Sequence, residues 1–277
     1  MSEIRSRSDE GAELLRQGRA IDAVEVLRQG VAAGEPGAAD LLVRAYFDSG
    51  NWHAAADWLT KLVDQGHHEF AGRLGAALIG TGDLDTAEEA LRYAMESGDH
   101  SAANDLAILL RDDGRTAEAR QVLERAVAEG DPVAPANLVA FHLESNNLRE
   151  AVDTAERYQD ETRPDTIVAL ADVRAMQGRG DEAERLYQRA GVLGGERAHT
   201  AYGQFLLGVG DQTGAEREFR SAVEHGEQGW AATMGRFMVD AGRPDEAREF
   251  LQAGVDAGDQ LAVELLEELD GVDPTDD

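Results

Sequence analysis

The sequence predicts an all-α solenoid of about eight helical hairpins closed by a C-terminal capping helix, and three observations predict it. A glycine recurs every 32 residues, at Gly18, Gly50, Gly82, Gly114, Gly178, Gly210 and Gly242, with Asn146 in the fifth period. Five residues after each stands an alanine without exception: Ala23, Ala55, Ala87, Ala119, Ala151, Ala183, Ala215 and Ala247. Sixteen residues after each comes a second glycine, at Gly34, Gly66, Gly98, Gly130, Gly194, Gly226 and Gly258, with Thr162 as the exception. A fixed period in this range signals units that bury their apolar faces only by stacking.

The segment after each turn glycine reads as the second helix of a unit. In the third period it runs from about Asp85 to Ser97, with Ala87, Ala90, Leu91, Ala94 and Met95 at helical spacing on one face. Nine residues after the turn the stripe reads Leu27, Leu59, Leu91, Leu123, Ala155, Tyr187, Phe219 and Leu251. The recurrent alanine before it marks a close helix crossing. The second glycine ends the helix in the left-handed conformation. An acid often follows it, as at Glu35, Asp99, Asp131, Glu227 and Asp259, where aspartate is expected to cap the next helix and glutamate to complement its dipole.

The first helix of each unit follows, marked by Leu42, Leu74, Leu106, Leu138, Leu170, Tyr202, Met234 and Leu266. Its stripe continues three residues on, and the two helices make an αα-hairpin. On the outward side, Asp57 and Lys61, Glu88 and Arg92, Asp153 and Arg157, and Glu216 and Arg220 are spaced for i,i+4 ion pairs. A helix from about Ser8 to Gln17 opens the array and a lone helix from about Gln260 to Leu269 ends it. The expected organisation is one repeat domain over 1–270 and an acidic disordered tail over 271–277. The fifth period departs from the rest: Asn146, Ala155 and Thr162-Arg163-Pro164 replace its glycine, large residue and joint. Asparagine tolerates the left-handed turn, and Tyr158 is expected to refill the volume lost at Ala155.

Composition narrows function. Fifty-five acids against 26 bases give a net charge of −29, a field that repels nucleic-acid phosphates and anionic lipid. Neither nucleic acid nor membrane is an expected partner, and the charge fits a basic partner or simple solubility. With no cysteine there is no disulfide, thiol nucleophile or thiolate metal site. The polar start, Met1 to Ser8, lacks a signal-like apolar segment, and no run approaches a membrane span, so a cytoplasmic location is expected unless the chain is a mature form with its signal already removed. No phosphate loop, dinucleotide fingerprint, nucleophile elbow or zinc-protease motif is present, and His142-Leu143-Glu144 is not one. No enzymatic activity, cofactor or metal is therefore expected. His67, His68 and His100 at successive joints are the one arrangement that raises a metal site.

The spacing resembles the tetratricopeptide repeat, with features of the related Sel1-like repeat. The first-helix small position of that family falls at Gly11, Val43, Gly75, Ala107, Val139, Ala171, Gly203 and Gly235, and the alanine at twelve appears as Ala94, Ala126, Ala190 and Ala222. The period is 32 rather than the usual 34, and glycine replaces the proline that commonly ends the unit. Val63 to Gly75 looks more like a Sel1 joint.

The resemblance implies a right-handed solenoid and a non-catalytic scaffold or adaptor. A protein or peptide would lie on the concave surface of the first helices. By family spacing the inward positions include Asp40, Arg44, Phe47, Asn104, Arg111, Asp172, Gln204 and Arg236. Arginine suits bidentate carboxylate recognition, so Arg44, Arg111 and Arg236 with Asn104 point to an acidic or C-terminal segment, the alternative being ordinary surface arginines paired with neighbouring acids. The alternative is a structural subunit of a larger or self-associated complex, which an exposed patch of Trp52, Trp58 and Trp230 would favour. The oligomeric state is left open.

Overall fold

The structure is a computed structural model and describes residues 6–99 and 102–271. The described residues form seventeen α-helices and one short 3₁₀ turn, with no strand. They fall into two compact units, 1–113 and 114–277. The first unit holds α1 (Arg7–Arg16), α2 (Ala20–Ala32), α3 (Ala38–Asp48), α4 (Trp52–Asp64), the 3₁₀ turn His68–Phe70, α5 (Ala71–Thr81), α6 (Leu84–Glu96) and α7 (Ala102–Asp112). The second opens with α8 (Thr116–Glu129), α9 (Ala134–Glu144), α10 (Leu148–Arg157), α11 (Pro164–Met176) and α12 (Gly180–Val192). It continues through α13 (Ala198–Gly208), α14 (Gln212–His225), α15 (Trp230–Asp240), α16 (Pro244–Asp256) and α17 (Gln260–Asp270). Odd-numbered helices are the first helices of the repeats and even-numbered ones the second. The expected tail lies outside the described residues beyond Gly271, and so does His100.

The recurrent residues do what their chemistry dictates. Gly82 turns the chain at φ 81°, and Asn146 makes the same turn at φ 56°. The eight recurrent alanines are fully buried, and the residue four places on is at most 4% exposed in every repeat. The small first-helix position faces that large residue across its own hairpin. A Cβ at Gly75 would fall inside the Leu91 side chain, and Gly11, Gly203 and Gly235 stand in the same relation to Leu27, Phe219 and Leu251. These four hairpins are therefore each locked by a knob in a glycine hole.

The fifth repeat compensates from two sides. Tyr158, 38% exposed, lines a narrow cleft with Ala155, Val139 and Ala169 and so fills part of the space, as expected. Further volume comes from Val139, which stands at the glycine-hole position and packs in one core cluster with Ala151, Ala155, Ala169, Leu170 and Val173. Knob and hole have exchanged sides of the hairpin.

Seven of the eight second helices begin in one of two ways; the exception is α10, where Asn147 makes no side-chain cap. Where the residue after the turn is Asn51, Asp83 or Asp211, its side chain accepts a backbone N–H from the first helical turn. Where it is arginine, it pairs instead with an acid three residues on: Arg19 with Asp22 at 2.6 Å, Arg115 with Glu118 at 2.7 Å, Arg179 with Glu182 at 2.6 Å and Arg243 with Glu246 at 2.6 Å. Of the four expected i,i+4 pairs, Glu88–Arg92 and Glu216–Arg220 form, both at 2.7 Å. Among the described residues, Asp57–Lys61 and Asp153–Arg157 do not.

The joint glutamates correct a second expectation. Glu35 reaches back 27 to 28 residues rather than forward, and accepts from the N–H groups of Ser8 at 2.8 Å and Arg7 at 3.2 Å. Those bonds hold its carboxyl below the usual range, the Ser8 amide first. Glu227, 4% exposed, likewise accepts from the N–H groups of His199 at 2.8 Å and Thr200 at 2.9 Å. Each glutamate thus caps the first helix of the preceding hairpin and ties two repeats together. At the joint before α13 the logic inverts: α11 starts with Pro164, which has no N–H to offer, and the residue facing it is Gly195, where a Cβ would come within 2.7 Å of the proline ring. Aspartate behaves as expected at Asp259, which accepts from Leu261 and Ala262 at the start of α17.

Candidate partner-binding surfaces

Three of the inward positions converge. Asp40, Arg44 and Phe47 on α3, with Leu41, Val43 and Arg73, line a groove of about 440 Å³ between first helices of the first unit. The helical spacing of 40, 44 and 47 puts them on one face, and Arg73 on α5 lies a repeat away. Phe47 is half-buried and meets Trp52 edge-on, with ring centroids 5.1 Å apart. The charges are internally paired: Arg73 with Asp40 at 3.0 Å, and Arg44 with Asp48 at 3.3 Å. Both pairs are solvent-exposed, where an ion pair contributes about 0–1 kcal/mol, so an incoming charged group can exchange for either acid at small cost.

The other positions are dispersed. Asn104 and Arg111 lie half-buried on α7, and Arg111 Nε donates to Asp112 at 3.0 Å. Gln204 is exposed on α13. Arg236 on α15 is exposed and lines a second groove, about 490 Å³, with Val239, Asp240, Leu265, Glu268 and Leu269 at the α17 end of the second unit.

Asp172 is set apart by its environment. It is partly buried on α11 and accepts a 2.6 Å hydrogen bond from the Tyr187 hydroxyl of α12. Burial raises its carboxyl to about 6, against the opposing pull of that bond and of Arg197. The same burial, with the facing carboxylate, pushes the Tyr187 phenol up. Tyr187 stacks on Tyr202 at 5.7 Å, and Tyr202 donates to Glu184 at 2.7 Å. Desolvation pushes Tyr202 to about 12.

A pH prediction follows from Asp172. The folded chain holds this proton more tightly than the unfolded one, so its contribution to stability falls as pH rises from about 4 to about 6 and stays low above. Asp172→Asn keeps an acceptor for Tyr187 and removes the ionisation. Thermal unfolding at neutral pH is expected to show a gain of up to about 2 kcal/mol, vanishing near pH 4. A loss at both pH values would show that the carboxylate is needed as an anion.

Histidines do not form a ligand cluster. His67 Nδ1 lies 3.2 Å from Glu69, and His68 Nδ1 lies 2.7 Å from the Tyr93 hydroxyl. No group of three or more metal-ligating side chains occurs among the described residues. His142 is only 4% exposed with Nδ1 unpartnered, and burial pushes its pKa down. No helix among the described residues is long and apolar enough to cross a membrane.

Sequence reasoning missed the backward glutamate caps and the arginine clamps. The clamps carried a readable signal, an arginine after the turn with an acid three residues on. The caps carried a fainter one, the joint glycine Gly195 opposite Pro164 at the start of α11.

Models of the tetratricopeptide repeat match residues 41–102 and 73–135, and a second such model matches 168–189 and 231–253, together a little over half of the chain. No curated protein sequence matches it. Among solved structures it is similar to a tetratricopeptide repeat protein from Parabacteroides merdae ATCC 43184, with 14% identity, a TM-score of 0.53, and coverage of 95% of this chain and 97% of that one. It is also similar to a chain of the APC/C hetero-tetramer Cut9–Hcn1, with 13% identity, a TM-score of 0.53, and coverage of 97% of this chain and 57% of that one. At these identities the likeness is one of fold. Repeats of this kind generally serve as protein–protein interaction modules. With hairpins in phase along the chain and repeat models matching in both units, the chain belongs to the tetratricopeptide repeat family.

Proposed function

We propose that this protein is a non-catalytic scaffold or adaptor that holds a protein or peptide partner along the first-helix faces of its units. The observation that carries the reading is the groove in which Asp40, Arg44 and Phe47 meet Arg73. It offers an aromatic half-buried against Trp52 beside exchangeable ion pairs, so an extended segment can gain apolar contact and charge-assisted bonds on a preformed surface. Asn104, Arg111, Asp172, Gln204 and Arg236 extend the same first-helix register. The fold neighbour from the Cut9–Hcn1 assembly works as part of a hetero-tetramer, which is in keeping with a partner-binding role. We place the protein in the cytoplasm, with neither nucleic acid nor membrane among its partners.

The tryptophans give no support to the reading as a structural subunit. Trp52, Trp58 and Trp230 are each half-buried rather than an exposed patch, and Trp230 packs against the core around Leu251.

A photo-reactive amino acid at Asp40 or Gln204, both exposed on first helices, tests the reading in the native host. The same group at Arg217 on the outward second helix α14 is the control. Covalent capture of one protein from Asp40 and Gln204 but not from Arg217 is the expected result. Capture from Arg217 alone, or of nucleic acid, would overturn it.

A further inference from the structure

A second groove in the first unit, about 420 Å³, runs between α2 and α4 over a floor of Leu42 and Tyr46 from α3. It lies between second helices, so it is separate from the first-helix groove, and its size is that of small-ligand sites, roughly 300–1,000 Å³. Arg28 comes from α2, and Lys61, the only lysine in the chain, from α4. Neither has an acid partner among the described residues, although acids outnumber bases 55 to 26. By contrast, Arg44 and Arg73 in the first-helix groove are both paired. Asp57, one turn before Lys61, stands in the same groove and does not bond it.

The polar groups around the cations are also unmatched. The Trp58 indole N–H is shielded from water without an acceptor, an arrangement that costs about 1–3 kcal/mol. Tyr46 is 6% exposed, and its hydroxyl has no hydrogen bond among the described residues. The site therefore offers guanidinium and ammonium donors beside aromatic walls, with one carboxylate as the opposing charge. The repulsion of the whole chain is screened beyond about 8 Å at physiological ionic strength, so the two local cations set the field inside.

We propose that this groove binds an acidic, partly apolar segment of a partner protein, seating a carboxylate at Arg28 and Lys61 and an adjacent apolar side chain against Tyr46 and Trp58. The ligand supplies the acceptors that the site lacks. Arginine and lysine here act as charge partners at one point, and the aromatic walls select the apolar neighbour. This goes beyond the first-helix reading and uses none of its residues, so either can fail alone.

The test uses the full chain labelled with ¹⁵N, in which Trp58→Phe assigns one indole signal among three tryptophans. The probes are acetyl-Leu-Glu-Leu-Glu-amide, its glutamine counterpart, and hexanoate as a free carboxylate. Because Lys61 is the only lysine, reductive ¹³C-methylation adds one side-chain signal beside that of the N-terminal amine. The acidic peptide is expected to shift the Trp58 and Lys61 signals saturably, to leave the Trp230 signal in place, and to bind less tightly as salt is raised. Arg28→Gln with Lys61→Gln is expected to weaken binding about tenfold, with the unfolding midpoint unchanged because both side chains are exposed. Equal shifts from the glutamine peptide would overturn the proposal. So would hexanoate binding as tightly as the peptide, which would make the site one for small acids, or unchanged affinity in the double variant.

Discussion

Glu227→Ala is expected to lower the local stability of α13 by about 2–4 kcal/mol, because one buried and one partly buried backbone N–H lose their acceptor together. Glu227 is 4% exposed and bonds both His199 and Thr200. Repeat proteins unfold as coupled neighbours rather than as one body, so native-state hydrogen exchange is the better measure than a global midpoint. The amides of His199 and Thr200 are expected to lose protection by a factor of about 30 to 1,000, and those of α3 to change little. Glu227→Gln, which keeps one acceptor oxygen, is expected to show the smaller loss. Equal protection in the alanine variant would show that the cap is an accessory contact.

Gly75→Val is expected to destabilise the α5–α6 hairpin by about 3 kcal/mol, at the upper end of the range for overpacking. Its branched side chain would occupy the space of Leu91. Leu91→Ala alone opens a cavity and is expected to cost about 2–5 kcal/mol. Together the two changes reproduce the pairing of Val139 with Ala155, so the double variant is expected to be at least about 1 kcal/mol better than the sum of the singles. Urea unfolding of the four proteins closes this cycle. Additive losses would mean that the fifth repeat owes its integrity to something other than the exchange of knob and hole.

These expectations show which layer of the structure was legible in the sequence. The turn glycines could be read because positive φ excludes most side chains, and the recurrent alanines because close crossings exclude volume. Asn146 was read correctly for the same reason. The repair beside Ala155 was legible only in part, since Tyr158 lies nearby in sequence whereas Val139 is a neighbour only across the folded hairpin. The reach of Glu35 to Ser8 spans 27 residues, and local capping rules, which look forward by three, direct attention to the wrong helix. Among the site residues, Asp40, Arg44 and Phe47 share a helix face and could be grouped by spacing alone. Asp172 meets Tyr187 15 residues on, and burial then decides its charge, which no spacing reveals. The unpaired state of Arg28 and Lys61 depends on which rotamers the fold admits, and the sequence pointed instead to an Asp57–Lys61 pair.

The residues that recur most faithfully are accordingly those that hold the scaffold, and on the function proposed above partner recognition falls to the positions that differ between first helices. The most direct measurement of that division is the affinity of the captured partner for a variant carrying Arg44→Gln, Arg111→Gln and Arg236→Gln. The account predicts binding weakened by at least about tenfold, equivalent to 1.4 kcal/mol, with a thermal midpoint that stays near that of the parent. Unchanged affinity in the folded variant would contradict it.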